Sequence, residues 1–156
     1  MTPYICPAAP IPVRAVMTWF SDECELLVEC RGDVPRSGSF IVGLEVKSDS
    51  GEIRHCCIEY ADASPAGIFT FDLWWNLQFA HDLGTVKMRG PLLEGRFPAW
   101  IFSMPGSEPS FSVFCIQNGV TTASGVQVEQ TSAQNGQAPQ WVTSTIPLPG
   151  QPAGRQ

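Results

Sequence analysis

Few side chains in this sequence can do acid–base or nucleophilic chemistry near neutral pH. Only two histidines, His55 and His81, occur in 156 residues, and histidine is the side chain whose ordinary pKa falls in that range. Six cysteines accompany them. His81-Asp82 could orient an imidazole, and with Cys115 as nucleophile it would form a Cys–His–Asp arrangement. A plainer reading is preferred, because His81 and Asp82 fall where a turn is expected and Cys115 sits within an apolar run. His55 and Cys57 share one face of an alternating segment, two ligands of a metal fragment that no second cluster completes. Asp22-Glu23 places two acids in a turn, where solvation accounts for them. No Gly-rich phosphate loop, G-x-S-x-G elbow or H-E-x-x-H motif occurs. The expectation is a protein without catalytic residues, metal or cofactor.

The cysteines read as structural thiols. Cys56 and Cys57 are adjacent and no C-x-x-C pair exists; Cys30, Cys57 and Cys115 lie in apolar or alternating runs, where free cysteine behaves as a small buried hydrophobe. Reduced thiols point to a cytoplasmic compartment. The first residues carry neither a basic region nor a continuous apolar core, so a secretory signal is not expected. Arg31-Gly32-Asp33 can act as an integrin ligand at a loop tip, but Gly-Asp before Val34-Pro35 also serves as a strand end, and that structural use is preferred.

The binding clue is aromatic. Trp74 projects from an otherwise polar strand face beside Asp72 and Asn76, where an indole can stack on a sugar or anchor a protein interface. Trp100 and Trp141 are further candidates for a ligand-binding surface.

These residues depend on one element. Across residues 68–79, Phe69, Phe71, Leu73, Trp75, Leu77 and Phe79 fall on every second position, with Thr70, Asp72, Asn76 and Gln78 between them. A period of two predicts a strand with the aromatic set, Trp75 included, in the core. At roughly 3.3 Å per residue it would run about 40 Å. A helix over 71–83 is the competing reading, disfavoured because Phe, Trp and Thr prefer strands. Further strands are expected over 13–20, 25–30, 39–48, 52–60, 85–89, 97–104, 111–116, 120–130 and 141–146. Asp49-Ser50-Gly51 and Asn118-Gly119 are the hairpin turns. Residues 61–67 and 90–96 read as loops. Eight to ten short strands with Gly/Pro turns predict an all-β antiparallel sandwich. Two four-stranded sheets of jelly-roll type come first; an immunoglobulin-like sandwich or small barrel is the alternative.

Prolines divide the chain into a proline-rich arm at 1–12, one β-domain at 13–146 and a Pro/Gly-rich tail at 147–156. Charged residues make up only 15%, against an average of about 25%, which predicts that much of the surface meets other protein. The net charge of −6 and the lack of a basic run argue against nucleic acid. No apolar run reaches the roughly 18–20 residues of a membrane span. These features together predict a structural protein of a symmetric assembly, most concretely a viral capsid or capsid-surface protein located in the virion. Its partners would be copies of itself or a larger shell, contacted through Trp74, Asp72, Asn76, Trp141 and the tail prolines Pro147, Pro149 and Pro152. A soluble carbohydrate-type binding domain using an exposed tryptophan is the alternative.

Overall fold

The computed structural model describes residues 9–104, 106 and 108–133. Two sheets pack face to face as an all-β sandwich, with five and six described strands in place of two fours. The first sheet holds β1 (Ile11–Trp19), β2 (Glu23–Arg31), β7 (Lys87–Arg89), β8 (Leu92–Pro98) and β11 (Glu129–Ser132), in the order β11-β1-β2-β8-β7. The second holds β3 (Ser39–Lys47), β4 (Ile53–Ala61), β5 (Ser64–Asp72), β6 (Leu77–Ala80), β9 (Ser110–Gln117) and β10 (Val120–Gln127), in the order β10-β9-β3-β4-β5-β6. All pairings are antiparallel except β1 with β11.

Alternation dictates the core. Phe40, Val42, Leu44 and Val46 of β3 point inward and are fully buried, facing Leu26, Val28 and Cys30 of β2 across the sandwich core. Cys56, Ile58 and Tyr60 of β4 and Val113 and Cys115 of β9 complete the layer. The one phenol in it is satisfied, with Tyr60 Oη donating to the Lys87 carbonyl at 2.9 Å. The Asn118-Gly119 turn forms as expected, with φ of 49° and 82°, the left-handed pair that a two-residue hairpin demands.

The segment over 68–79 is not one strand. It is a hairpin: β5 ends at Asp72, four residues turn, and β6 returns, with Asp72 opposite Leu77 and Thr70 opposite Phe79. Asp72 Oδ1 accepts from the backbone N–H of Trp74 at 2.9 Å and of Trp75 at 3.1 Å, the side-chain turn that aspartate favours. Asn76 closes it at φ 54°, a left-handed conformation that asparagine tolerates. The core face of β5 is also the opposite one: Ile68, Thr70 and Asp72 are buried and Phe69 and Phe71 are half-exposed. The polar pair is accepted inside because both side chains find partners there. Trp75 is therefore no core residue; it is exposed at the turn.

Other expectations change as well. Residues 90–96 are largely strand, since Leu93, Gly95 and Phe97 alternate inward on β8. Gly95 lets the backbone close on Ile58 and Ile68, whose side chains a Cβ would meet at 2.8 and 3.0 Å. Trp100 and Phe102 lie in a 3₁₀ turn at Ala99–Phe102, after Pro98 ends the strand. The segment 120–130 divides into β10 and β11 as the chain passes between sheets, and β5 begins within the loop expected at 61–67. The N-terminal pattern also gives way early, because β1 includes Ile11 and Pro12, with Pro12 at an irregularity in the pairing, where proline is tolerated in a sheet.

Arg54 and Asp72 form an ion pair at 3.1 Å whose side chains are 16% and 4% exposed. Removing one partner of such a buried pair leaves a stranded charge, typically at a cost of about 3–5 kcal/mol. Asp72→Ala should thus lower stability by about 3 kcal/mol in denaturant unfolding, whereas Trp75→Ala should leave the midpoint nearly unchanged.

Candidate functional site

Two surface features gather the side chains that can recognise something. The first is the β5–β6 turn. Asp72 and Asn76 hold its backbone, so Leu73, Trp74, Trp75 and Leu77 have nowhere to go but outward. Trp74 is 58% exposed, Trp75 65% and Leu77 51%. Four large apolar side chains side by side exceed the scattered exposure normal for a monomer. Of the expected contact residues, Trp74 lies on this surface and Asn76 in its turn, but Asp72 is buried beneath as the support. Trp141, Pro147, Pro149 and Pro152 fall outside the described residues.

On the outer face of the second sheet Phe69 and Phe71 are partly exposed, while Cys57, Gly43 and Phe114 are buried. Cross-strand register lines up Phe69, Cys57, Gly43 and Phe114 in one row, and His55 stands beside it, its ring 4.7 Å from that of Phe114. Gly43 is needed here, because a Cβ would collide with the Phe114 ring. The first sheet's outer face is different. There Arg14–Glu29 (3.8 Å), Arg96–Glu25 (3.4 Å) and Arg89–Glu94 (3.7 Å) form a lattice of ion pairs over Val16, Leu27 and Leu92.

The second feature is a cleft of about 580 Å³ at the sandwich edge, where the chain leaves β6. The β1–β2 turn supplies Asp22 and Glu23, the segment after β6 supplies His81 and Asp82, and Arg96 and Trp100 complete it. Trp100 is 56% exposed and its ring meets Phe79 edge-on at 5.4 Å. Its 3₁₀ turn is tied down by Ala99 N–H donating to the Asp22 carbonyl at 2.9 Å, and by Arg54 Nη1 donating to the Ile101 and Ser103 carbonyls. Thr70 Oγ1 donates to Cys56 Sγ at 3.7 Å and shares a second hydrogen bond with His81 Nε2 at 2.8 Å. Asp82 Oδ1 caps the 3₁₀ turn at Leu83–Thr85 by accepting from Gly84 N–H at 2.9 Å. Arg96 is occupied by Glu25 and by the Phe20 face, 4.6 Å from its ring centre.

The alternatives weighed from sequence separate cleanly. Cys115 is fully buried on β9, four strand spacings (about 19 Å) from β6, after which His81 follows; the two are not brought together. The described cysteines are free and buried, and burial pushes the Cys30, Cys56, Cys57 and Cys115 thiols up to about 12, the opposite of a reactive thiolate. His55 and Cys57 do share the outer face, yet no group of three metal-binding side chains exists among the described residues. Arg31, Gly32 and Asp33 are exposed at the end of β2, with Gly32 at φ 93° turning the chain toward buried Val34. No helix among the described residues is long and apolar enough to cross a membrane. No protein-family model, curated protein or solved structure matches the chain.

Burial holds the imidazoles of His55 and His81 below the ordinary histidine range, with Glu45 partly opposing this at His55. A base with a depressed folded pKa takes up protons on unfolding once pH falls below its unfolded value of about 6.5. Its contribution is therefore full above that pH and is lost on acidification. Buried Glu25, whose carboxyl is held above the usual range, works in the other direction but does so equally in variants that retain it. Between about pH 7 and pH 5, the wild-type melting temperature should fall further than that of a His55→Gln/His81→Gln variant.

Proposed function

We propose that this protein is a structural subunit that works by binding other protein subunits, in its most concrete form a capsid or capsid-surface component of a symmetric particle. The observation that carries the reading is the exposed Leu73-Trp74-Trp75 turn with Leu77 beside it. Apolar patches of this kind mark contact surfaces, and tryptophan is the residue most enriched among energetic anchors. The chain spends tight backbone geometry, a buried carboxylate and a left-handed asparagine to hold these indoles in water. The half-exposed Phe69 and Phe71 of the neighbouring sheet face extend the same surface. The low charge content and the concentration of ion pairs on the other sheet fit a body with one charge-paired face and one face for contact. A second copy of the chain is the simplest partner, since symmetric self-association is the commonest form of assembly.

The test is sedimentation velocity on the full chain over a concentration series. Wild type should associate reversibly. Trp74→Ser/Trp75→Ser should remain folded and weaken association by about 30-fold, from the roughly 2 kcal/mol lost with one hot-spot aromatic. A wild-type chain that stays monomeric throughout, or a double variant that associates equally well, would defeat self-assembly through this surface.

A further inference from the structure

We propose that the cleft between Trp100 and the His81-Asp82 segment is a binding site for a neutral saccharide, separate from the subunit contact at the hairpin turn. Its volume, about 580 Å³, lies within the usual range of small-ligand sites, roughly 300–1,000 Å³. One wall is the Trp100 indole, half in water yet fixed in place. Phe79 packs against it edge-on, and both ends of its 3₁₀ turn are hydrogen-bonded to other elements. A fixed, wet indole beside polar groups suits a ligand with one apolar face and one polar rim.

The rim groups are chiefly acceptors. Asp22 and Glu23 come from one turn and Asp82 from another. Asp82 uses one oxygen on Gly84, which leaves the other for a ligand. His81 engages Thr70 through Nε2, so Nδ1 is the ring nitrogen left for a ligand. Donors are fewer, and Arg96 is already held by Glu25 and Phe20. A set rich in acceptors calls for a ligand rich in donors, which hydroxyl groups supply. Three carboxylates against one guanidinium exclude an anion. Arg96 stands in the same cleft as a like charge to a cation but not to a neutral polyol, and cations are therefore the comparators in the test. A sugar ring answers all of these conditions, with its C–H face on the indole and its hydroxyls on the carboxylates.

Saturation-transfer NMR on the full chain tests this, with the methyl glycosides of glucose, galactose, mannose and N-acetylglucosamine as probes and with choline and arginine amide as cationic comparators. At least one glycoside should receive saturation, strongest on its ring C–H protons. Trp100→Ala should weaken its binding by about tenfold or more, Asp82→Asn should weaken it without altering the circular dichroism spectrum, and Trp74→Ala should leave it unchanged. Absence of transfer to every glycoside would overturn the proposal. So would transfer that survives both Trp100→Ala and Asp82→Asn, or transfer confined to choline or arginine amide, which would make the cleft a cation site. None of these outcomes bears on self-association, which rests on different residues.

Discussion

The Arg54–Asp72 pair is the interaction on which the exposed chemistry of this protein depends. Asp72 sits at the end of β5 and does two jobs with two oxygens: Oδ2 meets Arg54 Nε, and Oδ1 shapes the turn that carries the tryptophans. Arg54 reaches the other way, to the carbonyls that end the Trp100 turn. One buried cation therefore fixes both surfaces from beneath. A planar guanidinium suits this, since its donors diverge in a fixed fork. A buried pair of this kind need not add net stability over an apolar replacement. What it supplies here is position, because an apolar pair could not cap a turn and terminate a 3₁₀ helix at once.

The hairpin also explains why the sequence misleads at its most regular stretch. Six apolar residues alternate without a break from Phe69 to Phe79, yet a four-residue turn lies in the middle. Asp72 opposite Leu77 means that even positions before the turn share a face with odd positions after it. Phe69 and Phe71 thus lie on the outer face while Phe79 lies on the face of Thr70 and Leu77 on that of Asp72, where the sheet edge leaves it exposed, although all four obey one periodicity. Period two specifies alternation along a strand but is silent on where a strand ends and which face is inner. The signal that could have located the turn is Asp72 followed by Asn76, a capping carboxylate and a left-handed residue, which reads as polar filler when pattern alone is counted. Elsewhere the pattern sufficed. β3 carries four uninterrupted inward hydrophobes and a Gly-containing turn, so register and local turn chemistry agree. β8 was hidden for the opposite reason: Gly90-Pro91 and Gly95 resemble a loop, and only the opposing Ile58 and Ile68 show why a glycine belongs in that strand. The cleft was legible as separate fragments, His81-Asp82 and Trp100, but bringing them together takes tertiary structure.

The two outer faces solve the problem of covering a sheet in different ways. On the first, long charged side chains lie over Val16, Leu27 and Leu92, so apolar stems and ion pairs share the work of excluding water. Their carboxylates are only 14–17% exposed, so each pair serves to satisfy its own partly buried charges. On the second, Phe69, Cys57, Gly43 and Phe114 form a row in which a glycine makes room for a ring. The first face thus pairs its charges and the second packs its rings.

How such a body can meet a partner is constrained by its sheet edges. A free strand edge invites another chain to add to the sheet, and folds normally blunt it. Of the four edge strands among the described residues, β6 and β11 have four residues each and β7 has three. β10 is longer, at eight residues, but its pairing with β9 shifts register twice and Gly125 sits at φ 72°, so its outer edge is irregular. Short or irregular edges offer few consecutive backbone groups to an incoming strand. Recognition by this fold then falls to side chains, and the large ones left in water are concentrated where Asp72 and Arg54 hold them.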